Sequence, residues 1–273
     1  MVSGLGIHPG LETRALSMGF RDYLRRHPIP IQAHFRYSLV LAFAYPEELL
    51  RPLLPPGLVL DGYAGNGFLA IALVRTEKLR PQGWPAWTGR DFFLSGYRIF
   101  SRFKQPEAGE LRGLRILRSD ADRWGMVISG NLMTRYGYRK CSVRENRVGD
   151  VLNLAVATPN GEADLRIRAW IGSAVDRVPD GSPFPDLEAA RKFAGPLPHT
   201  FGYEEAHDSI VVVKGVRQHW VPKPVRVDVE HCGFLERGPF AGMPRRLANA
   251  FWIEDIPYRW ERGRVVPLRR DPA

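Results

Sequence analysis

Short stretches in which apolar and polar residues alternate recur along the chain and predict a protein built mainly from β-strands. The predicted strands are residues 35–43, 58–60, 67–74, 92–103, 112–118, 151–157, 164–170, 203–220 (as two strands) and 225–229. Between two of them stands Pro159-Asn160-Gly161, and Asn-Gly is a strong signal for a tight β-hairpin. The pattern therefore favours antiparallel pairing of neighbouring strands.

Helices are predicted at only three places. A short helix is predicted within residues 11–26, a second begins at Pro46 and ends before the Pro55-Pro56-Gly57 turn, and a third covers 187–193. Asp186 opens the third helix, because an aspartate side chain can accept a hydrogen bond from an otherwise unpaired N–H group. Many short strands with few short helices predict an α+β fold, mainly antiparallel, closed into a barrel or sheet.

The chain shows no internal repeat or low-complexity tract that would divide it. Residues 1–30 are polar and irregular and are expected to form an N-terminal arm. Residues 31–245 are expected to form one domain, and residues 246–273, which mix aromatic and basic side chains, a C-terminal tail. A length of 273 residues is sufficient for one sizeable core.

Composition narrows the setting in which the protein works. Two cysteines in 273 residues make no disulfide framework, and the first residues lack the basic and apolar regions of a signal peptide. No apolar stretch approaches the roughly 18 residues that span a bilayer. We therefore expect a cytoplasmic protein without a membrane partner, and the sequence leaves homo-oligomer formation open.

The net charge of +10 is compatible with three kinds of anionic partner: nucleic acid, an anionic surface or a small anionic ligand. The basic residues are scattered among acidic ones, and Arg166 and Arg168 alternate with apolar residues as on a solvated strand face. Binding to nucleic acid rests on net charge alone. A small ligand, anionic or containing a carbonyl group, is therefore the expected partner.

Other residues that carry chemistry have plainer interpretations. Cys141 could be a thiolate nucleophile next to cations, but a small buried apolar residue is the favoured role. The spacings of His199, His207, His219 and His231 fit no zinc motif, so we expect neither a metal nor another cofactor. The Pro- and Gly-rich loop that holds Trp84 and Trp87 is compatible with a lid over a cavity or with a hydrophobic plug.

Three segments carry a resemblance to a known family. The first is 35–61, which contains the run Pro46-Glu47-Glu48-Leu49-Leu50-Arg51-Pro52-Leu53-Leu54-Pro55-Pro56-Gly57. The second and third are 186–193 and the run Trp220-Val221-Pro222-Lys223-Pro224-Val225. Together they resemble the acetoacetate-decarboxylase-like superfamily, most closely its uncharacterised bacterial branch, over roughly residues 33–235. The resemblance implies a cone-like antiparallel barrel around a small-molecule cavity.

The same resemblance implies site residues. In the decarboxylase a lysine in an aromatic-Pro-Lys-Lys run forms a Schiff base with the keto acid. The run Tyr138-Arg139-Lys140-Cys141 is similar, and it places Lys140 on that lysine while Cys141 replaces the second one. Arg36 matches an arginine that holds the substrate. The two active-site glutamates fall on Ala70 and Leu94, so decarboxylation itself is not expected.

These assignments define a candidate site. An unprotonated Lys140 amine would attack a carbonyl, and Arg36 would hold a carboxylate by two parallel hydrogen bonds. Tyr138 and Tyr97 are candidate proton donors, and Leu94 is expected to contact the substrate. The alternative for Lys140 is a solvated surface charge. Three functions remain open at this point: Schiff-base lyase chemistry, a non-catalytic small-molecule-binding barrel, and a basic interaction module.

Overall fold

The computed structural model describes residues 19–105, 109–173, 175–195, 197–218 and 220–268. Its strands are β1 (Ile31–Pro46), β2 (Leu58–Leu60), β3 (Asn66–Pro81), β4 (Arg90–Gln105), β5 (Gly109–Ala121), β6 (Tyr138–Lys140), β7 (Ser142–Val148), β8 (Val151–Ala157), β9 (Leu165–Trp170), β10 (His199–Glu204), β11 (Ser209–Arg217), β12 (Lys223–Pro224), β13 (Arg226–Cys232), β14 (Arg246–Trp260) and β15 (Arg264–Pro267). Its α-helices are α1 (Phe20–Leu24), α2 (Glu47–Leu50), α3 (Trp124–Met133) and α4 (Leu187–Ala194).

Seven of these strands pair in a closed ring. The order is β1, β3, β4, β5, β10, β11 and β14, and β14 pairs again with β1. All contacts around the ring are antiparallel except that between β5 and β10, which is parallel. The predicted α+β class and closed, mainly antiparallel sheet are therefore confirmed.

Alternation along β4 shows how the ring separates two faces. Phe93, Tyr97 and Ile99 point outward into the main hydrophobic core, whereas Leu94 and Phe100 point inward. Successive side chains on a strand point to opposite faces, so one set of β4 side chains contacts the main core and the other faces the inside of the ring.

The outward face of β1, β3 and β4 is covered by a second sheet. This sheet has the order β13-β9-β8-β7 and is antiparallel throughout. Its apolar residues, such as Leu154 and Ile167, share the main core with Leu39 and Ile71 of the ring. The predicted hairpin around Asn160-Gly161 is the β8–β9 pair of this sheet.

One end of the ring is filled by aromatic side chains. Phe68 packs against Phe100, Phe184 and Phe193 of α4, and Phe100 packs against Phe193, with ring centroids 5.1 to 6.0 Å apart. We call these four residues the aromatic plug. Asp186 caps α4 as predicted, because its Oδ1 accepts a hydrogen bond from the Ala189 amide at 2.7 Å.

The C-terminal region differs from the expectation of a tail. Residues 246–260 form β14, which pairs with β1 from Ile31–Trp260 to Ala44–Arg246 and closes the ring. The predicted domain limit at residue 245 therefore does not follow the fold. Residues 124–133, for which no helix was predicted, form α3. Of the predicted N-terminal helix, residues 20–24 form α1, and residues 1–18 lie outside the described part of the chain.

Candidate functional site

The interior of the ring contains a cavity of about 830 Å³. Each of the seven ring strands contributes inward-facing residues, among them Val40, Ala72, Ile116, Thr200 and Phe251. Small side chains at inward positions of β3 leave this space open, since bulkier ones would fill it. The cavity is therefore a property of the ring itself and not of a surface groove.

Exposed lining residues lie at one end of the ring, which we call the rim. They come from the β3–β4 loop, the start of α3 and the residues before β1. The rim includes Ile29, Trp84, Arg90, Asp91, Arg123 and Trp124. The aromatic plug occupies the region where Phe100 lines the cavity. Trp84 is thus part of the entrance to the cavity.

Arg98 of β4 projects into this cavity. Within the described residues its guanidinium has no hydrogen-bond acceptor and no carboxylate partner, and its Nε is fully buried without a partner. Gly96, two residues before it, makes the conformation feasible. A Cβ at that position would lie 3.0 Å from the Arg98 Nε, so the missing side chain leaves room for the guanidinium. Burying a charge without a partner is costly, so this arrangement calls for an explanation.

A second arginine lies in the same space. Arg217 of β11 donates a hydrogen bond from Nη1 to the Tyr258 hydroxyl at 3.4 Å, while its Nη2 is buried without a partner. Its guanidinium carbon lies 4.5 Å from the ring centroid of Trp220. Gly215 leaves room for the tyrosine, because an added Cβ would lie 2.0 Å from the Tyr258 hydroxyl oxygen. Arg217 thus stands against aromatic side chains, with no carboxylate beside it among the described residues.

Positive charge exceeds negative charge inside the cavity. Burial lowers the pKa of Arg98, and burial together with the charge of Arg98 lowers the pKa of Arg217. Both stay protonated near neutral pH because a guanidinium has so high an initial pKa. Among the described lining residues the one carboxylate is Asp91, which lies at the rim and accepts a hydrogen bond from the Lys78 amide at 2.8 Å. The interior therefore has an excess of positive charge that an anion would neutralise.

Three tyrosines surround these arginines. Tyr136, Tyr138 and Tyr258 line the cavity. The Tyr136 hydroxyl lies 2.7 Å from the Thr200 hydroxyl, and burial raises the pKa of Tyr136 to about 12. Burial also raises the pKa of Tyr138. The hydroxyl groups of Tyr136 and Tyr138 therefore stay protonated and can donate hydrogen bonds to an anion.

The site residues predicted from the sequence lie in different parts of the structure. Tyr138 and Leu94 line the cavity. Tyr97 lies on the outer face, fully buried, where its hydroxyl donates to the Ala163 carbonyl at 3.2 Å. Burial raises its pKa well above the usual range. Tyr97 therefore has no access to a ligand inside the ring.

Arg36 is also outside the cavity. Its side chain is 69% exposed and its Nε lies 2.7 Å from the Glu77 carboxylate. The reason is a β-bulge in β1: Phe35 pairs with Thr76 and Tyr37 with the adjacent Arg75, so Arg36 has no pairing position on β3. The bulge directs this side chain to solvent. The expectation that Arg36 faces a ligand finds no support in its position.

Lys140 stands at the end of β6 and is half-buried. Its Nζ donates a hydrogen bond to the Cys141 carbonyl oxygen at 2.6 Å, and it does not line the cavity. The structure therefore does not bring Lys140 and Arg36 into one site. Cys141 is buried in the main core, and burial raises the pKa of its thiol to about 12, as for a structural cysteine.

Sequence reasoning missed Arg98. The signal was present in the predicted strand 92–103, where Phe92, Leu94, Gly96, Arg98 and Phe100 occupy alternate positions. An arginine in the middle of a row of apolar side chains and one glycine indicates a charge on a buried face.

Comparison with known proteins places the chain in a family. A model of the DUF2071 family, described as an uncharacterized conserved protein, matches residues 32–251. The chain belongs to this family. Among curated proteins, none matches the chain.

The described residues contain no group of three or more His, Cys, Asp or Glu that could hold a metal ion, and His219 lies outside them. No α-helix in this part of the chain is long and apolar enough to cross a membrane.

Several solved structures are similar to this chain in fold. An acetoacetate decarboxylase-like enzyme from Sphingomonas wittichii RW1 is similar with a TM-score of 0.59 and 12% identity, over 88% of this chain and 93% of that one. Acetoacetate decarboxylase from Legionella pneumophila gives 0.56 and 13%, over 88% of each chain. The enduracididine biosynthesis enzyme MppR, complexed with pyruvate, gives 0.55 and 12%, over 87% and 90%. At such identities the likeness establishes the fold alone, and it is the acetoacetate-decarboxylase-like fold that the sequence predicted.

Proposed function

We propose that this protein binds a small carboxylate inside the ring, with the Arg98 guanidinium as its principal contact. The observation that carries the proposal is the unpaired charge of Arg98 in a largely apolar cavity. Natural structures pair almost all their buried charges, because an isolated one loses its hydration without compensation. A bound anion would supply the missing partner.

The geometry of the donors favours a carboxylate. A guanidinium presents parallel N–H groups that match two carboxylate oxygens, and such charge-assisted bonds are stronger than neutral ones. Arg217 adds a second cation, and the hydroxyls of Tyr136 and Tyr258 are further donors. A protein of the same fold, MppR, is complexed with pyruvate, itself a carboxylate. This likeness supports a ligand of this kind in the ring.

Schiff-base chemistry through Lys140 is a second and more specific candidate function. It requires an amine that reaches the ligand, and here the Lys140 Nζ is bonded to the Cys141 carbonyl outside the cavity lining. No lysine lines the described cavity. The geometry therefore supports binding of the acid better than covalent chemistry on it, and a Lys140 adduct would be the decisive evidence for the lyase.

Calorimetric titration with pyruvate and with octanoate tests the proposal. Arg98→Met should weaken binding of both acids by about 10- to 100-fold, the value of a charge-assisted bond of roughly 1.5–3 kcal/mol. Arg36→Gln removes the same charge from the outer surface and is the matched control, which should bind as the unmodified protein does. Gly96→Ala should give a smaller loss, because the new Cβ displaces the guanidinium.

Two results would contradict the proposal. One is unchanged binding by Arg98→Met. The other is an equal loss in Arg98→Met and Arg36→Gln, because that would trace binding to overall charge and not to the cavity.

A further inference from the structure

The part of the cavity between Arg98 and the rim is mainly apolar. The guanidinium lies over Gly96, and the first residue of β4 at the rim is Arg90. The six residue steps from Arg90 to Gly96 correspond to about 20 Å of strand at roughly 3.3 Å per residue. This depth is far more than a two- or three-carbon acid would occupy.

The walls over this depth are built mainly from aliphatic and aromatic side chains. Leu94 and Phe92 follow one another along β4, opposite Val74 and Thr76 of β3. Phe35 also lines this part of the cavity, together with the small hydroxyl side chain of Ser38, which pairs with Val74. Apart from Arg98 and Arg217, the charged side chains of the described lining are Arg80, Arg90, Asp91 and Arg123, near or at the rim. A ligand body that fills this space gains free energy by being apolar.

The rim itself is apolar in part. Trp84 is 58% exposed and Trp124 is 62% exposed, and both line the cavity entrance. A volume of about 830 Å³ lies in the upper part of the range of about 300–1,000 Å³ usual for ligand pockets. A ligand that reaches from Arg98 to these tryptophans would therefore be long as well as apolar.

We infer that the ligand is an amphipathic acid, with its carboxylate at Arg98 and an elongated apolar body directed toward Trp84 and Trp124. This inference rests on the proposed function, because the orientation is set by the anion at Arg98. It adds the class of ligand: acids with an aliphatic or aromatic body, in preference to short keto acids.

A chain-length series tests the inference. Calorimetric titration with butyrate, hexanoate, octanoate and decanoate should give affinities that rise about fourfold for each added methylene, as expected for burial of that group. Octanol is the uncharged control for octanoate and should bind at least tenfold more weakly. Leu94→Trp fills the middle of the cavity and should remove most of the gain with length.

The outcomes separate the two proposals. Affinities that do not change with length, but fall in Arg98→Met, would overturn the amphipathic ligand and leave the carboxylate site intact. Affinities that rise with length, are shared by octanol and persist in Arg98→Met would overturn the carboxylate site, and the inference with it. Leu94→Trp that keeps the full gain with length would place the apolar body elsewhere and overturn the inference alone. Absence of binding by every acid would overturn both.

Discussion

Two arginines on opposite faces of the ring differ in whether a carboxylate neutralises their charge. Arg118 points to the outer face, where its side chain is 7% exposed, and it donates to both oxygens of Asp120 at 2.9 and 3.0 Å. Its Nη1 also contacts Glu162 at 2.7 Å. Arg98 points to the inner face and has no such partner among the described residues. The outer charge is neutralised within the protein, whereas the inner charge is available to a ligand.

This difference distinguishes a structural charge from a functional one. A paired arginine stabilises its surroundings, and removing it leaves a buried carboxylate alone. An unpaired arginine in a cavity destabilises the ligand-free protein and is useful only when something binds. The two positions therefore predict opposite effects of the same substitution.

Arg118→Met should produce the largest loss of stability. It leaves Asp120 buried without its cation, and burial already raises the pKa of Asp120 with Arg118 present. Breaking a buried pair in this way typically costs about 3–5 kcal/mol. Denaturant unfolding measures it, and Arg139→Met is the control, because Arg139 also contacts Glu162 but is 57% exposed. A cost no larger than that of Arg139→Met, expected below about 1 kcal/mol, would contradict a structural role for Arg118.

His27 extends the comparison to a group that can lose its charge. It lines the cavity and is 4% exposed, and burial lowers its pKa to about 4. The folded protein therefore keeps His27 neutral while the unfolded chain takes up a proton below about pH 6.5. The contribution of neutral His27 to the free energy of unfolding should be complete above that pH. The free energy of unfolding should fall by up to about 3 kcal/mol as the pH decreases toward 4.

The control for this prediction is His27→Asn, since asparagine tolerates the positive φ of 56° at this position. We expect the free energy of unfolding, measured by urea titration from pH 7 to 4.5, to vary less with pH in this variant. Identical pH dependence in both proteins would show that His27 is accessible to protons in the folded state.

Arg98→Met should change stability in the opposite direction to Arg118→Met, and by less. Replacing an unpaired buried cation by an apolar side chain should raise the stability of the ligand-free protein by about 1–2 kcal/mol. The same urea titration measures this gain without added acid. A loss of stability instead would mean that Arg98 is satisfied within the folded protein, and the argument for a ligand would lose its basis.

Much of the fold was predictable because alternation is a local property. The limits of β2 and β8 and the hairpin at Asn160-Gly161 were predicted directly, and the longer strands needed only extension. Strand β14 was missed because Asp255 and Pro257 interrupt its apolar pattern, although pairing with β1 holds it in the ring. Helix α3 was missed because exposed apolar side chains such as Ile128 hide the pattern of a two-sided helix.

The site was less predictable because the face of the ring to which a side chain points depends on the register between strands. Leu94 and Tyr138 could be placed from the family resemblance, and both line the cavity. Arg36 could not, since the bulge that turns it outward is set by pairing with a distant strand. Its neighbour on the chain, Phe35, does line the cavity. A one-residue irregularity is therefore enough to move a charge from one face of the ring to the other.

Lys140→Ala should have the smallest effect, and it tests whether resemblance or geometry is the better guide. The Lys140 amine is held by the Cys141 carbonyl outside the cavity lining, so we expect binding of pyruvate and octanoate to stay within about twofold. Borohydride reduction in the presence of 2-keto and 3-keto acids should leave no adduct on Lys140 by mass spectrometry. An adduct that is present in the unmodified protein and lost in Lys140→Ala would show that the amine enters the ring. The function would then include Schiff-base chemistry, with Arg98 holding the acid for a lysine that moves to meet it.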